Sequence, residues 1–215
     1  MAAGVPLTAL TAYQALDLLK VEAGKTIFIT GGTGGSGALA IPLVKARGLR
    51  VVTNGRATHK DRLMALGVDK FIDYQTEDFV DVLSDVDYVI DTLGGDDTMK
   101  LFKILKNGGA MVSLNAMPNK VFAKRMGMSA FKQFLFGLVG RKYDKVASQN
   151  NQRYDFIFAQ SSGKDLADVS RILIEGQVPV SIDTIYDFKN INQAIAKLKN
   201  GYSKGKSVLR VNNQL

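Results

Sequence analysis

The residues of this sequence best placed to do chemistry are glycines. In Ile27-Phe28-Ile29-Thr30-Gly31-Gly32-Thr33-Gly34-Gly35-Ser36-Gly37 an apolar strand runs into a glycine-rich turn and then into an apolar helix. The G-x-G-x-x-G spacing falls on Gly32, Gly34 and Gly37. In that setting each glycine has its own task. Gly32 permits the tight turn, Gly34 lets the backbone approach a pyrophosphate, and Gly37 lets the helix pack closely on the strand. Amides at the helix start, near Gly35 and Ser36, then face the anion. The chemistry this predicts is dinucleotide binding.

A second determinant lies about 20 residues on, where NAD-binding units place an acid against the adenosine ribose hydroxyls. Here the strand ends Val51-Val52-Thr53-Asn54-Gly55-Arg56, and the first acid is Asp61. No carboxylate repels a 2′-phosphate, while Arg56 and Lys60, and less directly His59, can meet one. NADP is therefore expected over NAD, with Asn54 at the strand end among the cofactor-binding residues.

Other chemistries find little support. Gly205-Lys206-Ser207 has the look of a P-loop, but position 200 is Asn and a strand is expected to follow, which argues against nucleotide hydrolysis. One His and no Cys leave no clustered metal ligands, and there is neither a Ser-His-acid signature nor a nucleophile elbow. The absence of cysteine and of a signal-like or membrane-spanning run leads to an expectation of a cytoplasmic chain. The excess of 28 Lys+Arg over 20 Asp+Glu gives a net charge of +8, which favours an anionic partner.

These residues need elements to hold them, and the chain supplies an alternation of short apolar runs and helix-period segments. Strands are expected at Thr26 to Thr30, Arg50 to Asn54, Lys70 to Tyr74, Asp87 to Leu93, Gly109 to Asn115 and Arg153 to Ala159. Helices are expected at Gly35 to Arg47, Thr58 to Leu66, Asp78 to Leu83 and Asp96 to Leu105. A further helix at Gly163 to Glu175, a short strand within Val178 to Phe188, a helix at Ile191 to Asn200 and a strand at Ser207 to Val211 close the pattern. The fold class is α/β, a doubly wound parallel (Rossmann) sheet in one domain over 1–215.

From Pro118 to about Gln152 the rhythm gives way to a helical insertion rich in Lys, Arg and Phe. Its helical spacing predicts a helix pair that packs a Phe stripe and solvates a Lys face, the alternative being a nucleic-acid or membrane-surface site. Neither nucleic acid nor membrane is expected as a partner; a small-molecule substrate is.

Taken in order, the motifs resemble the medium-chain dehydrogenase/reductases, in particular their zinc-free, quinone-oxidoreductase-like branch. The likeness runs through Leu10-Thr11-Ala12-Tyr13-Gln14-Ala15-Leu16, the turn at Gly34 to Gly37, Leu66-Gly67-Val68-Asp69 and Ile72-Asp73-Tyr74. It continues in Asp91-Thr92-Leu93-Gly94-Gly95, Leu105-Lys106-Asn107-Gly108-Gly109 and Gly205-Lys206-Ser207-Val208-Leu209. Where the zinc-dependent branch carries a Cys ligand, this sequence reads Pro6-Leu7-Thr8-Ala9. The resemblance implies hydride transfer between NADPH and a quinone, enone or related carbonyl. It implies Thr11 beside the nicotinamide, Gly34 to Gly37 at the pyrophosphate, and Arg56, Lys60 and Tyr74 around the adenosine phosphate. Leu93 and Asn115 would line the ribose and nicotinamide path. It names no acid or base in this chain, and it implies a β-rich substrate domain ahead of the point where the sequence begins. A homodimer through a sheet edge near Arg153 to Ala159 is a further expectation.

Two other readings fit the glycine turn. Thr30-Gly31-x-x-x-Gly35-x-Gly37 satisfies the short-chain dehydrogenase pattern, whose Tyr-x-x-x-Lys occurs only at Tyr202 to Lys206, broken by Gly201 and Gly205. The third reading is a non-enzymatic NADPH-binding module that docks a partner.

Overall fold

The computed structural model describes residues 2–180, 182–200 and 205–211, and of Ala2 and Ser36 the backbone alone. The elements run α1 (Pro6–Leu19), β1 (Thr26–Ile29), α2 (Gly35–Ala46), β2 (Arg50–Gly55), α3 (Lys60–Ala65), β3 (Lys70–Asp73), α4 (Phe79–Val82) and β4 (Val86–Asp91). They continue as α5 (Asp97–Ile104), β5 (Leu105–Ser113), α6 (Lys120–Arg125), α7 (Ala130–Gln149), β6 (Arg153–Phe156), α8 (Gly163–Glu175), β7 (Ile182–Asp187), α9 (Ile191–Lys199) and β8 (Lys206–Arg210).

Six parallel strands pair in the order β3-β2-β1-β4-β5-β6, the doubly wound arrangement the alternation predicts. β1 is central because Ile27, Phe28 and Ile29 are all apolar and none is exposed. Successive side chains of a strand point to opposite faces. Ile27 and Ile29 therefore join the core under α1, α2 and α8, with Leu16, Ile41 and Val169. Phe28 enters the other core, with Phe79, Leu101 and Tyr154.

Two expectations need correction. β7 and β8 do not extend the main sheet but form a parallel pair of their own. None of their described residues is fully buried, whereas an interior strand of a doubly wound sheet is covered on both faces. The Phe stripe of the insertion also does not pack as a whole. Phe122 is buried and meets Phe136 and Phe156 edge-on, but Phe131 and Phe134 stay 71% and 60% exposed.

The insertion is anchored by a buried asparagine. The Asn119 side chain donates to Asp144 Oδ1 (2.7 Å) and to the Tyr154 carbonyl (3.2 Å), and accepts from the Phe122 amide (2.9 Å). It thereby caps α6 and ties α7 to β6. Gly140 makes this approach possible, since a Cβ there would lie 2.6 Å from Asn119 Cβ and 2.9 Å from the Pro118 carbonyl. Three hydrogen bonds fix Asn119, so the clash cannot relax cheaply. Gly140→Ala is expected to cost about 2 to 3 kcal/mol, in the range of overpacking. A thermal melt should then fall by roughly 4 to 12 °C, and an unchanged midpoint would mean that α7 shifts freely.

Candidate functional site: a cleft at the glycine turn

The strand order reverses at β1 and β4, so the loops leaving their C-terminal ends diverge and open a crevice. Two threonines hold the crevice walls in register. The Thr92 hydroxyl donates to the Thr30 carbonyl at 2.6 Å, and the Thr92 amide donates to Thr30 Oγ1 at 2.8 Å. Asn54, buried at the end of β2, fixes the glycine turn from the other side. It accepts from the Gly31 amide through Oδ1 (2.8 Å) and from the Gly32 amide through its carbonyl (3.2 Å).

The glycines of the turn are needed for different reasons. Gly31, with φ +64°, is the residue that takes the left-handed conformation. At Gly32 a Cβ would fall 2.2 Å from Thr53 Oγ1, and at Gly37 one would fall 2.3 Å from Gly32 Cα. Packing inside the protein excludes side chains at both. Gly34 differs, because a Cβ there would meet only the Gly31 carbonyl, at an ordinary 3.4 Å. Its side-chain direction is open.

Gly34 is also the N-cap of the 12-residue α2, and no side chain caps that helix or adds an acid to its first turn. The unpaired amides of such a terminus favour an anion. Beside it, the stem of Lys206 passes Gly35, with Cγ and Cε 3.6 Å from where a Cβ would sit. Its ammonium donates to Thr8 Oγ1, and burial lowers its pKa. The chain ends thus bring a cation to the glycine turn.

Gly34, Asn54, Tyr74 and Leu93 line one cleft of 720 Å³ together with Gly31 and Thr33. At its rim Arg56 donates through Nε to the Tyr74 hydroxyl at 2.8 Å. Lys60 is exposed at the start of α3, and His59 closes the short helical turn before it. Asn115 stands across the Thr92 loop, donating to the Thr92 carbonyl at 2.6 Å. Thr11 is the outlier, since its hydroxyl is satisfied within α1 by the Leu7 carbonyl (2.7 Å). The α1 residue that the structure links to the glycine turn is Thr8, through Lys206.

Three residues that shape the cleft are not marked as such by the sequence motifs. Asp91, with no exposed surface, accepts from the Leu93 and Gly94 amides (3.2 and 2.9 Å) and from the Thr98 and Ser113 hydroxyls (2.7 and 2.8 Å). Ser113 Oγ in turn accepts from the Asn115 and Ala116 amides (3.3 and 2.9 Å), so one carboxylate orders both loops that carry Leu93 and Asn115. An acid ending an apolar run before two glycines was the available signal. Arg62 donates to the Thr33 carbonyl at 2.9 Å and so braces the turn, for which no local pattern gave notice. Lys206, whose sequence setting has only the look of a P-loop, sits against Gly35. As for the short-chain dehydrogenase pair, Lys206 opens a strand and is engaged by Thr8, while Tyr202 lies outside the described residues.

Residues 66–209 match the protein family described as zinc-binding dehydrogenase. The chain is 28% identical over 219 residues to the NAD(P)H oxidoreductase RTN4IP1, mitochondrial, of Mus musculus, covering 98% of this chain and 55% of that protein. Over 115 residues, 53% of this chain and 29% of the relative, it is 39% identical to the 2-methylene-furan-3-one reductase of Solanum lycopersicum. The quinone oxidoreductase from Coxiella burnetii superposes with a TM-score of 0.81 at 29% identity, over 98% of this chain and 60% of that one. The chain therefore spans little more than half the length of the mouse relative it matches.

Proposed function

We propose, since the chain belongs to the zinc-binding dehydrogenase family, that its cleft binds NADPH for hydride transfer to a quinone, enone or related carbonyl. The observation that carries this reading is the open side-chain direction at Gly34, set at an uncapped helix N-terminus beside Lys206. The amides of Gly35, Ser36 and Gly37 and the Lys206 ammonium would receive the pyrophosphate at the opening Gly34 leaves, the Gly34 amide itself donating to the Gly31 carbonyl (3.0 Å). Gly32 would keep the turn tight. Arg56, Lys60 and Tyr74 would hold the 2′-phosphate, with Asn54 fixing the turn between the two sites. Leu93 and Asn115 would border the ribose and nicotinamide, with Thr11 on the helix beyond. When bound, the nicotinamide supplies the hydride; the residues of this chain position it and assign no acid or base to the reaction.

The names of the relatives support the substrate class. Cysteine is missing from the sequence, and among the described residues no three His, Cys, Asp or Glu side chains gather where an ion could bind. These residues do not fit a zinc ion, and the reading keeps the zinc-free chemistry. It also carries a cytoplasmic location and a homodimer through the free edge of β6, which pairs only with β5 among the described strands. The mouse relative is named as mitochondrial, so cell fractionation tests the first and size-exclusion chromatography the second.

Arg56→Ala, titrated by fluorescence with NADPH and NADH side by side, is the direct test of cofactor choice. Wild type is expected to bind NADPH more tightly, and the variant to lose roughly tenfold for NADPH alone, the value of one charge-assisted contact. Equal losses for both cofactors would remove Arg56 from the 2′-phosphate.

A further inference from the structure

The insertion carries a surface that neither the core nor the cofactor cleft uses. α7 has 20 residues and so runs about 30 Å. Gly140, Tyr143 and Ala147 are its buried positions and mark the side turned to the fold. At about 3.6 residues per turn, Phe131, Phe134, Leu135 and Leu138 fall on the opposite side. All four are exposed, by 71%, 60%, 42% and 53%. No cleft-lining residue at the glycine turn belongs to α6 or α7, so the two surfaces are separate.

The charges around this ridge have one sign. Lys142 and Lys145 continue it along the same side, and Lys132 and Arg141 flank it. Lys120 stands beside it on α6, with its Cβ 3.5 Å from where a Gly137 Cβ would be, and Lys124 lies one turn further on. Between 117 and 149 the one acid is Asp144, and the Asn119 side chain engages it. Arg125 turns inward to Asp155 and the Phe156 carbonyl, which leaves these six cations exposed.

We propose that the outer side of α7, with Lys120 and Lys124 beside it, seats the protein on an anionic lipid bilayer. Rings and aliphatic groups enter the boundary between headgroups and acyl chains while Lys and Arg stems reach up to the phosphates. A second copy of the chain would set six cations against six. A nucleic acid would satisfy the cations but leave the Phe and Leu ridge in water. The bilayer meets both features. The expectation of no membrane partner rested on a packed Phe stripe, and the exposed rings remove that ground. No helix among the described residues is long and apolar enough to cross a membrane, which suits a peripheral seat.

Flotation tests this with mixed phosphatidylcholine and phosphatidylglycerol vesicles against pure phosphatidylcholine vesicles. The chain is expected to float with the mixed vesicles only, and less at high salt. The pair Phe131→Ser with Phe134→Ser and the pair Lys132→Glu with Arg141→Glu touch exposed positions. Each should cut the bound fraction about tenfold or more without moving the thermal midpoint. The proposal is overturned if wild type stays unbound or if either pair floats as wild type does. It is also overturned if the Phe pair turns a wild-type dimer into monomer. Competition off the vesicles by a short DNA duplex that the Phe pair still binds would overturn it in favour of nucleic acid.

Discussion

Gly34→Val is expected to erase NADPH binding while leaving the fold standing, whereas Gly37→Ala should weaken both. At Gly34 the backbone is extended (φ −73°, ψ 168°), which any residue adopts, and a Cβ meets only one carbonyl at 3.4 Å. A poorer N-cap costs about 1 kcal/mol, or roughly 2 to 4 °C in the melt. The valine methyls would occupy the space into which the pyrophosphate must come, and a loss of at least about fiftyfold in affinity corresponds to ordinary overpacking. At Gly37 the atoms in the way are backbone, Gly32 Cα at 2.3 Å and the Gly31 carbonyl at 2.8 Å. No rotamer relieves that contact, and about 3 kcal/mol, or roughly 6 to 12 °C, is expected. Thermal melts and NADPH titration of the two variants separate the roles. Wild-type affinity in Gly34→Val would mean that no cofactor approaches the turn.

Asp91→Ala should be the most destabilising single change at the site that leaves every glycine in place. It strips acceptors from two amides and two hydroxyls around a carboxylate with no exposed surface. Each buried donor left unmade costs about 1 to 3 kcal/mol, and the hydroxyls can turn elsewhere, so about 3 to 5 kcal/mol is expected in all. Asp91→Asn should fall between the two, because its carbonyl can still serve the Leu93 and Gly94 amides while its amino group meets hydroxyls that have lost their acceptor. Urea denaturation gives the order, and an Asp91→Ala variant within about 1 kcal/mol of wild type would show that the Leu93 and Asn115 loops hold themselves.

The main sheet was legible because the pattern of its strands is local. Ile27 to Ile29 and Val51 to Thr53 are apolar or β-branched runs set before glycine or Asn, and burial on both faces follows from that composition. The glycine turn was legible for the same reason. What escaped depends on where distant segments meet. Thr8 and Lys206 are 198 positions apart, and the sequence gives no sign that they touch. Arg62 reads as an ordinary surface cation of a short helix until the turn at Thr33 is seen beside it. The insertion shows the limit of periodicity: Phe122, Phe131, Phe134 and Phe136 share helical spacing, but spacing says which side residues occupy, not whether a partner covers it. Likewise the strand character of Ile182–Asp187 and Lys206–Arg210 was readable, while their separation from the main sheet turns on partial burial that composition does not reveal.

The contact between Gly4 and Lys206, where a Cβ on the first would lie 3.4 Å from Cδ of the second, closes the polypeptide almost into a ring. The seam of that ring lies beside Gly35. A large side chain at Gly4 would press on the Lys206 stem from that side, so such a change should alter nucleotide affinity more than stability.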